Sequence, residues 1–225
     1  MWGMFRISTG LFLCSCSLAL RIIDSQFSII PILHNLQPVD ADYVFSGILQ
    51  NLLKTVSISL RHESAMDSLK SFANLREILQ QNISLGVSTV VSEKQISDAK
   101  SFGAAFISTP VMIPSLIELA KRKEMYVISA ATSLKDVEQA ISLGADAIKI
   151  YPIKEVSERE LDAIFLRIKG FDNHYPIITA GGLTIADANE RYLKQFDGMA
   201  IGVDCTSAQK GVLKKLNDIS SFLIL

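Results

Sequence analysis

The feature of this sequence that most constrains its fold is a regular alternation of short β-rich runs with segments of helical periodicity. From residue 28 onward the apolar runs recur at intervals of roughly 20 to 30 residues, which is the spacing of repeated βα units. Eight such runs, each followed by a candidate helix, are residues 28–33, 55–60, 83–87, 105–109, 126–130, 146–151, 176–180 and 198–203. Eight consecutive units predict an α/β fold, a single closed (β/α)8 TIM barrel. An open, doubly wound sheet is the alternative.

Local signals at the ends of the candidate helices support this division. Residues 92–95 and 157–160 both match a capping box, in which a Ser hydroxyl and a Glu or Gln side chain satisfy free amides of the first helical turn. Gly103 and Gly144 stand where helices should end, as C-terminal glycines do. No composition break divides residues 28–225, so we expect one barrel domain there.

The N-terminal segment, residues 1–27, allows three interpretations. Residues 1–23 contain Arg6 and Arg21 but no acidic residue, and residues 7–20 form an apolar stretch interrupted by Ser and Thr. The segment could be a cleaved secretory signal, an organellar presequence or a first helix lying across one end of the barrel. The stretch is short for a membrane span. The helix is favoured, since residues 17–25 have helical apolar spacing and run directly into the first strand candidate.

Composition argues against several classes of partner. With 22 basic and 23 acidic residues the net charge is −1, so neither nucleic acid nor a membrane is expected as a partner. An odd number of cysteines without metal-ligand spacing favours a reducing, cytoplasmic compartment: they are Cys14, Cys16 and Cys205. The histidines are scattered and are interpreted as surface or strand-end residues: they are His34, His62 and His174. We therefore expect neither a metal nor a cofactor.

Lys149 is the charged residue that most needs an explanation, because it lies inside the apolar run 146–151. Strand alternation places Ala147, Lys149 and Tyr151 on one face, which points into a barrel. Low-dielectric surroundings and a nearby cation would lower the pKa of its ammonium group and leave a neutral amine. Such an amine attacks a ketone and forms an iminium, an electron sink for breaking or making a carbon–carbon bond. A strand-end lysine whose ammonium reaches water is the plainer alternative.

The second strand and the last two loops carry further candidates. Alternation in TVSISLR puts Ser57, Ser59 and Arg61 on one face, where Arg61 could clamp a carboxylate. An ion pair between Arg61 and Glu63 at the rim is the alternative. Glycine-containing turns follow the seventh and eighth strand candidates, and in many barrels these two loops bind phosphate through backbone N–H groups.

Four segments, AIKIYP, ITAGGL, SISLRHESAMD and FGAAFISTP, resemble the 2-keto-3-deoxy-6-phosphogluconate/4-hydroxy-2-oxoglutarate aldolase family. The family consists of class I aldolases on a (β/α)8 barrel, and the likeness runs over residues 29–204. AIKIYP resembles the family's Lys-Phe-Phe-Pro, whose lysine forms the Schiff base with pyruvate. The resemblance thus implies that Lys149 is the catalytic residue.

The same matching implies the rest of the site. The substrate-binding residues would be Arg61, Thr89, Thr109, Pro110 and Tyr151, with Arg61 on the substrate carboxylate and Thr89 at the pyruvate site. The phosphate-binding residues would be Gly181, Gly182 and Gly202. The resemblance also implies a homotrimer, which a mean hydropathy of +0.31 supports because much apolar surface must be covered.

Three positions depart from the family pattern. The family carries a glutamate four residues before the arginine as its general acid/base, and this chain has Ser57 there. Its phosphate loop has Thr where Ala180 stands, and its eighth-strand loop has Gly-Gly-Ser where this chain has residues 202–204, ending in Asp204. A carboxylate would repel a phosphate dianion. The departures leave open whether the substrate is phosphorylated, and whether Glu63, His62 or Tyr151 replaces the base.

The function predicted first is a class I lyase that cleaves a 2-keto-3-deoxy sugar acid or 4-hydroxy-2-oxoglutarate to pyruvate and an aldehyde. The alternative is a catalytically weakened barrel that serves as a binding or structural subunit, which the missing glutamate favours. A third hypothesis, a phosphate-binding barrel similar to thiamine phosphate synthase, shares the late glycine turn but does not explain an inward lysine.

Overall fold

The computed structural model describes residues 27–170, 174–206 and 209–223. Its strands are β1 Ser28–His34, β2 Thr55–Ser59, β3 Ser84–Ser88, β4 Phe106–Ser108, β5 Tyr126–Ala131, β6 Ala147–Ile150, β7 Ile177–Ala180 and β8 Gly198–Asp204. Its helices are α1 Ala41–Gln50, α2 Ala65–Ile78, α3 Glu93–Ser101, α4 Pro114–Arg122, α5 Leu134–Ser142, α6 Glu158–Lys169, α7 Glu190–Gln195 and α8 Gln209–Leu223. The helix predicted within residues 1–27 lies outside the described residues, apart from Phe27.

The eight strands close into a parallel barrel in sequence order. Each strand lies within two residues of the run that predicted it. Closure comes from β1 and β8, which pair in register from Ser28 opposite Gly198 to His34 opposite Asp204. Because β8 pairs with β1, the sheet has no edge, and the open doubly wound alternative is wrong.

Alternation along the strands divides the apolar residues into two layers. The larger layer lies between the sheet and the helices, where Phe45 of α1 and Phe72 of α2 pack edge to face with ring centroids 5.0 Å apart. A smaller cluster fills the barrel interior: Ile30, Phe106, Ile128, Ala147, Ile178, Ala180 and Ala200. The Phe106 ring occupies the space where a Cβ on Gly86 would stand, 2.4 Å away. The deep interior is therefore filled mainly by apolar side chains, and the mouth above it is formed by the strand carboxyl ends.

The helix-end predictions hold at three of the four sites. Ser92 forms the full capping box with Gln95, and Gly103 and Gly144 have φ values of +76° and +83°. At residues 157–160 the Ser157 hydroxyl accepts from the Glu160 amide, but the Glu160 carboxylate accepts from the Leu134 amide at the start of α5. The second predicted box is therefore half formed, because tertiary packing offers this carboxylate a different donor.

Candidate active site

Lys149 lies on the inner face of β6 at the barrel mouth, as the alternation predicts. Its side chain is 4% exposed. The ammonium nitrogen Nζ is 2.7 Å from Ser108 Oγ and 3.0 Å from the carbonyl oxygen of Thr109. Both acceptors belong to β4 or its end, so the side chain crosses β5, where its register partner is the small Ala130. Sequence reasoning did not identify Ser108 as a contact of the lysine.

The environment of Lys149 favours the neutral amine. Burial, with a smaller contribution from the Arg61 guanidinium, lowers the pKa of Lys149 from 10.5 to about 7. The two causes are those expected from the sequence. Near neutral pH a large fraction of the amine is therefore uncharged and carries a lone pair, which a surface lysine lacks.

Arg61 and Tyr151 are bonded to each other, and the Tyr151 ring lies next to Lys149. Arg61 Nη2 donates to the Tyr151 hydroxyl at 3.2 Å, and Lys149 Nζ lies 5.1 Å from the centroid of the Tyr151 ring. Within the described residues Arg61 forms no ion pair, so the expected alternative of a rim pair with Glu63 is wrong. The guanidinium is left available for an anion in the cleft.

A cleft of about 690 Å³ opens above Lys149 at the strand carboxyl ends. Nine of the residues singled out from the sequence line it: Arg61, Thr89, Pro110, Lys149, Tyr151, Ala180, Gly181, Gly182 and Gly202. The described residues contain no group of three or more His, Cys, Asp or Glu side chains arranged to hold a metal ion. The cleft above the Lys149 amine is thus lined by residues at or after the ends of seven strands.

Thr89 lies just after β3 in a backbone conformation that is uncommon for its type. Its φ is +62°, a region that β-branched residues rarely occupy. Its hydroxyl lies 3.4 Å from the hydroxyl of Ser59. Such strain persists only where the surroundings hold it, and it clusters at binding sites.

Thr109 differs from the expectation. Its side chain is fully buried and does not line the cleft, and its hydroxyl accepts from the Ala130 amide at 3.4 Å. The predicted direct contact between Thr109 and a substrate is therefore corrected: this residue reaches the site through its carbonyl oxygen, which accepts from Lys149.

Ser57 lies deeper than the cleft. It is 1% exposed, and its hydroxyl has no hydrogen-bond partner within the described part of the chain. The two other groups considered as a replacement base on β2's loop, His62 and Glu63, do not line the cleft either, whereas Tyr151 does. Glu155, in the short helical turn after β6, is a lining carboxylate that sequence reasoning missed.

The sequence predicted that Asp204 would face the cleft, but the structure does not place it among the lining residues. Its carboxylate accepts from the Thr206 amide at 3.1 Å, from the Thr206 hydroxyl and from the Asn35 amide group. The backbone and side-chain donors of Thr206 and Asn35 lower the pKa of Asp204. The predicted repulsion of a phosphate by this carboxylate is weakened by its orientation and by these donors.

His34, at the end of β1, is a cleft residue that sequence reasoning assigned to a strand end without a role. Its ring lies against Gly202, where a Cβ would stand 3.1 Å from Nε2. Burial, with the Arg61 guanidinium, lowers the pKa of His34. Its position at a strand carboxyl end was the signal that could have identified it.

The loop after β7 combines backbone donors with cations. Gly181 has a φ of +112°, and a Cβ there would lie 3.0 Å from the Cα of Pro152. Lys154 Nζ donates to the Gly182 carbonyl at 3.0 Å. Lys154 and Lys215 both line the cleft, although neither was identified from the sequence. Two lysines against one lining carboxylate, Glu155, make the cleft positively charged around this loop, although Ala180 stands where the family has a threonine.

Comparison with known proteins gives partial matches in sequence and a broad match in fold. The 2-dehydro-3-deoxy-phosphogluconate aldolase of Haemophilus influenzae is 27% identical over 106 residues, 47% of this chain and 48% of that protein. A probable 2-dehydro-3-deoxy-6-phosphogalactonate aldolase of Rhizobium meliloti is 22% identical over 136 residues, 60% of this chain and 63% of that protein. In both, less than two thirds of the relative is matched.

The 2-keto-3-deoxy-6-phospho-gluconate aldolase of Zymomonas mobilis has the same fold. Its crystal structure superposes with a TM-score of 0.75 at 18% identity, over 92% of this chain and 96% of that chain. A model of the aldolase family described as KDPG and KHG aldolase matches residues 22–219. Because this match spans all eight strands and the cleft around Lys149, the chain belongs to the KDPG and KHG aldolase family.

Proposed function

We propose that this protein is a class I aldolase in which Lys149 forms a Schiff base with the keto group of a 2-oxo acid. The observation that carries the proposal is an enclosed amine with a pKa of about 7 that opens into a cleft lined by Arg61. The amine adds to the ketone, water leaves, and the resulting iminium accepts the electron pair of the adjacent carbon–carbon bond. Cleavage of that bond releases an aldehyde, and protonation of the enamine followed by hydrolysis releases pyruvate.

The residues around the amine supply the contacts that a pyruvate unit requires. Arg61 provides a fork of donors for the carboxylate, and its bond to Tyr151 holds that fork near Lys149. The Tyr151 ring covers the amine, which limits access of water to the iminium. Thr89 supplies a hydroxyl in a conformation that its surroundings fix.

The far end of the cleft supports a substrate with a second anionic group. Lys154, Lys215 and the amides of Gly181 and Gly182 would attract a phosphate or a second carboxylate. Both 2-keto-3-deoxy-6-phospho sugar acids and 4-hydroxy-2-oxoglutarate have this arrangement, and the two curated relatives are named for phosphorylated substrates of the first kind. We infer that the substrate is a 2-oxo acid with an anion at its other end.

Proton transfer during cleavage is the step in which this chain departs most from the family pattern. General acid–base assistance is typically worth about 10²–10⁴-fold in rate. Ser57 supplies no carboxylate, and Glu63 does not line the cleft. We therefore expect slow cleavage of the phosphorylated family substrate even where the Schiff base forms.

Trapping with pyruvate and sodium borohydride tests the proposal. Borohydride reduces the iminium to a stable secondary amine, so peptide mapping should find one pyruvate adduct, at Lys149. Lys149→Met should abolish the adduct. Lys154→Met is the matched control, because it removes an exposed lysine from the same cleft and should leave the adduct intact. An unmodified map at saturating pyruvate would instead support the alternative of a barrel that only binds.

Assembly and compartment are part of the same proposal. We propose that residues 28–225 form one barrel domain and that the barrel is a homotrimer, since exposed apolar side chains such as Val39 and Leu166, 88% and 76% exposed, need cover. Light scattering giving the mass of one 24.7 kDa chain would contradict the trimer.

Within the described residues no helix is long and apolar enough to cross a bilayer. We propose a cytoplasmic location, supported by the buried free thiol of Cys205.

A further inference from the structure

A row of serine hydroxyls lies beside the lysine at the barrel mouth. Ser59, Ser88 and Ser108 are the last residues of β2, β3 and β4, and they stand opposite one another in the strand register. All three are at most 5% exposed. Inward residues on neighbouring strands are about 5 Å apart. The row therefore forms a continuous polar wall that ends at Lys149.

The hydrogen bonds of this row are incomplete within the described residues. Ser108 Oγ accepts from Lys149 Nζ, but the Ser108 hydroxyl proton is donated to no described residue. Ser88 lines the cleft, and its buried hydroxyl has no partner at all among those residues. Since buried hydroxyls are almost always partnered, a group that enters the cleft is expected to complete these bonds.

The two acceptors of Lys149 also fix the direction of its lone pair. A neutral amine has two N–H groups and one lone pair. When the N–H groups point to Ser108 Oγ and to the Thr109 carbonyl, the lone pair is left for the cleft. Ser108 does not line the cleft itself, but its hydroxyl is 2.7 Å from the reacting nitrogen. The oxyanion of a ketone that has bonded to this nitrogen therefore comes within reach of the free Ser108 proton.

Building on the proposed function, we propose that Ser108 carries the proton that moves from nitrogen to oxygen when the Schiff base forms. The Lys149 lone pair attacks the keto carbon, and the carbonyl π electrons move to oxygen, which gives an alkoxide and a positively charged nitrogen. Ser108 Oγ accepts a proton from that nitrogen while its own proton passes to the alkoxide. The products are a neutral carbinolamine and an unchanged serine. Uptake of one proton from solution then expels water and leaves the iminium.

Two polar groups that line the cleft, Glu155 and Tyr151, are less suited to this transfer. Glu155 lines the cleft but is exposed, and Lys149 donates only to Ser108 and Thr109 among the described residues. The Tyr151 hydroxyl is held by Arg61. Ser108 is the group with both an acceptor on the reacting nitrogen and an uncommitted proton.

The experiment measures the rate of adduct formation by rapid mixing with saturating pyruvate, borohydride quench and mass spectrometry. Ser108→Ala should slow the adduct by about 100-fold, within the usual range for general acid–base assistance, with the same final extent. Ser108→Thr keeps the hydroxyl and should restore most of the rate. Ser129→Ala is the matched control, because Ser129 is equally buried on the next strand, but among the described residues its hydroxyl bonds to the Ala130 carbonyl and not to Lys149.

Imidazole buffer separates proton transfer from a structural effect. In Ser108→Ala the rate should rise with imidazole concentration, because the buffer can carry the missing proton, while the parent rate should not. Ser108→Val, the apolar isostere of Ser108→Thr, has no proton to transfer, so it should also be slow and supplies the test if Ser108→Ala does not fold. Parent-like rates in Ser108→Ala or Ser108→Val overturn this inference alone. Absence of any adduct in the parent overturns the proposed function itself.

Discussion

Replacing Lys149 by Met should change the pH dependence of stability in a defined way. The side chain is 4% exposed, and its pKa falls from 10.5 in the free side chain to about 7 in the folded protein. The folded state therefore binds this proton less tightly than the unfolded state does. Below about pH 7 the full penalty is present, and it fades as the pH rises toward 10.5, so stability of the parent rises through that window.

The magnitude follows from the size of the shift. One pKa unit corresponds to about 1.4 kcal/mol, so the penalty is about 5 kcal/mol at low pH. Methionine has a similar volume and no charge, but it leaves Ser108 Oγ and the Thr109 carbonyl without their donor, at about 1–3 kcal/mol each and independent of pH. The stability of Lys149→Met relative to the parent should therefore fall by about 3 kcal/mol between about pH 6 and about pH 9.

Urea unfolding followed by circular dichroism, at both pH values, measures this difference. All other titrating groups are shared by the two proteins and cancel. Lys70→Met, which removes an exposed lysine from α2, is the control and should show no comparable change. If the difference between Lys149→Met and the parent is the same at both pH values, Lys149 is not held in a low-dielectric site, and the argument for a neutral amine fails.

Three further predictions test the surroundings of the amine. Arg61→Met removes the cation that helps to lower the pKa of Lys149, so the pH profile of adduct formation should move to higher pH; an unmoved profile would show that burial alone acts. Gly181→Ala should lose about 1–3 kcal/mol in urea unfolding, since its φ is +112° and a Cβ would crowd Pro152; full stability would mean that the loop shifts freely. Ser57→Ala removes a buried hydroxyl without a described partner and should leave stability unchanged or raise it by about 1 kcal/mol, whereas a clear loss would reveal a bound water.

Departures from the sequence-based expectations occur where side-chain direction depends on neighbours distant along the chain. Thr109 was expected to contact the substrate, but a fully buried position turns its hydroxyl toward Ala130. Asp204 was expected to face a phosphate, but it does not line the cleft, and its carboxylate accepts from Thr206 and Asn35. From a single sequence one can predict which strand carries a residue, but not which hydrogen-bond donor or acceptor its side chain will contact.

Local rules in the sequence were sufficient for the architecture. Apolar runs of period two, helical segments between them and turn glycines are short-range signals, and eight repeats of them predict a closed barrel whose carboxyl ends share one mouth. The same alternation put Lys149 and Tyr151 on the inner face of β6, where the structure has them. A charged residue at an inward strand position needs an explanation in any fold, because burying an unpaired charge is costly.

Only the tertiary structure decided which groups surround the amine. The contact between Lys149 and Ser108 joins residues 41 positions apart across an intervening strand. The same cleft is also reached by Lys154 from the turn after β6, by Lys215 from α8 and by His34 from β1. Such proximity depends on barrel closure and on the stagger of the strands, which no local pattern encodes. The sequence therefore determined that an amine would point into a barrel, and the closed packing of the barrel determined that this amine is desolvated, beside a cation and bonded to a hydroxyl.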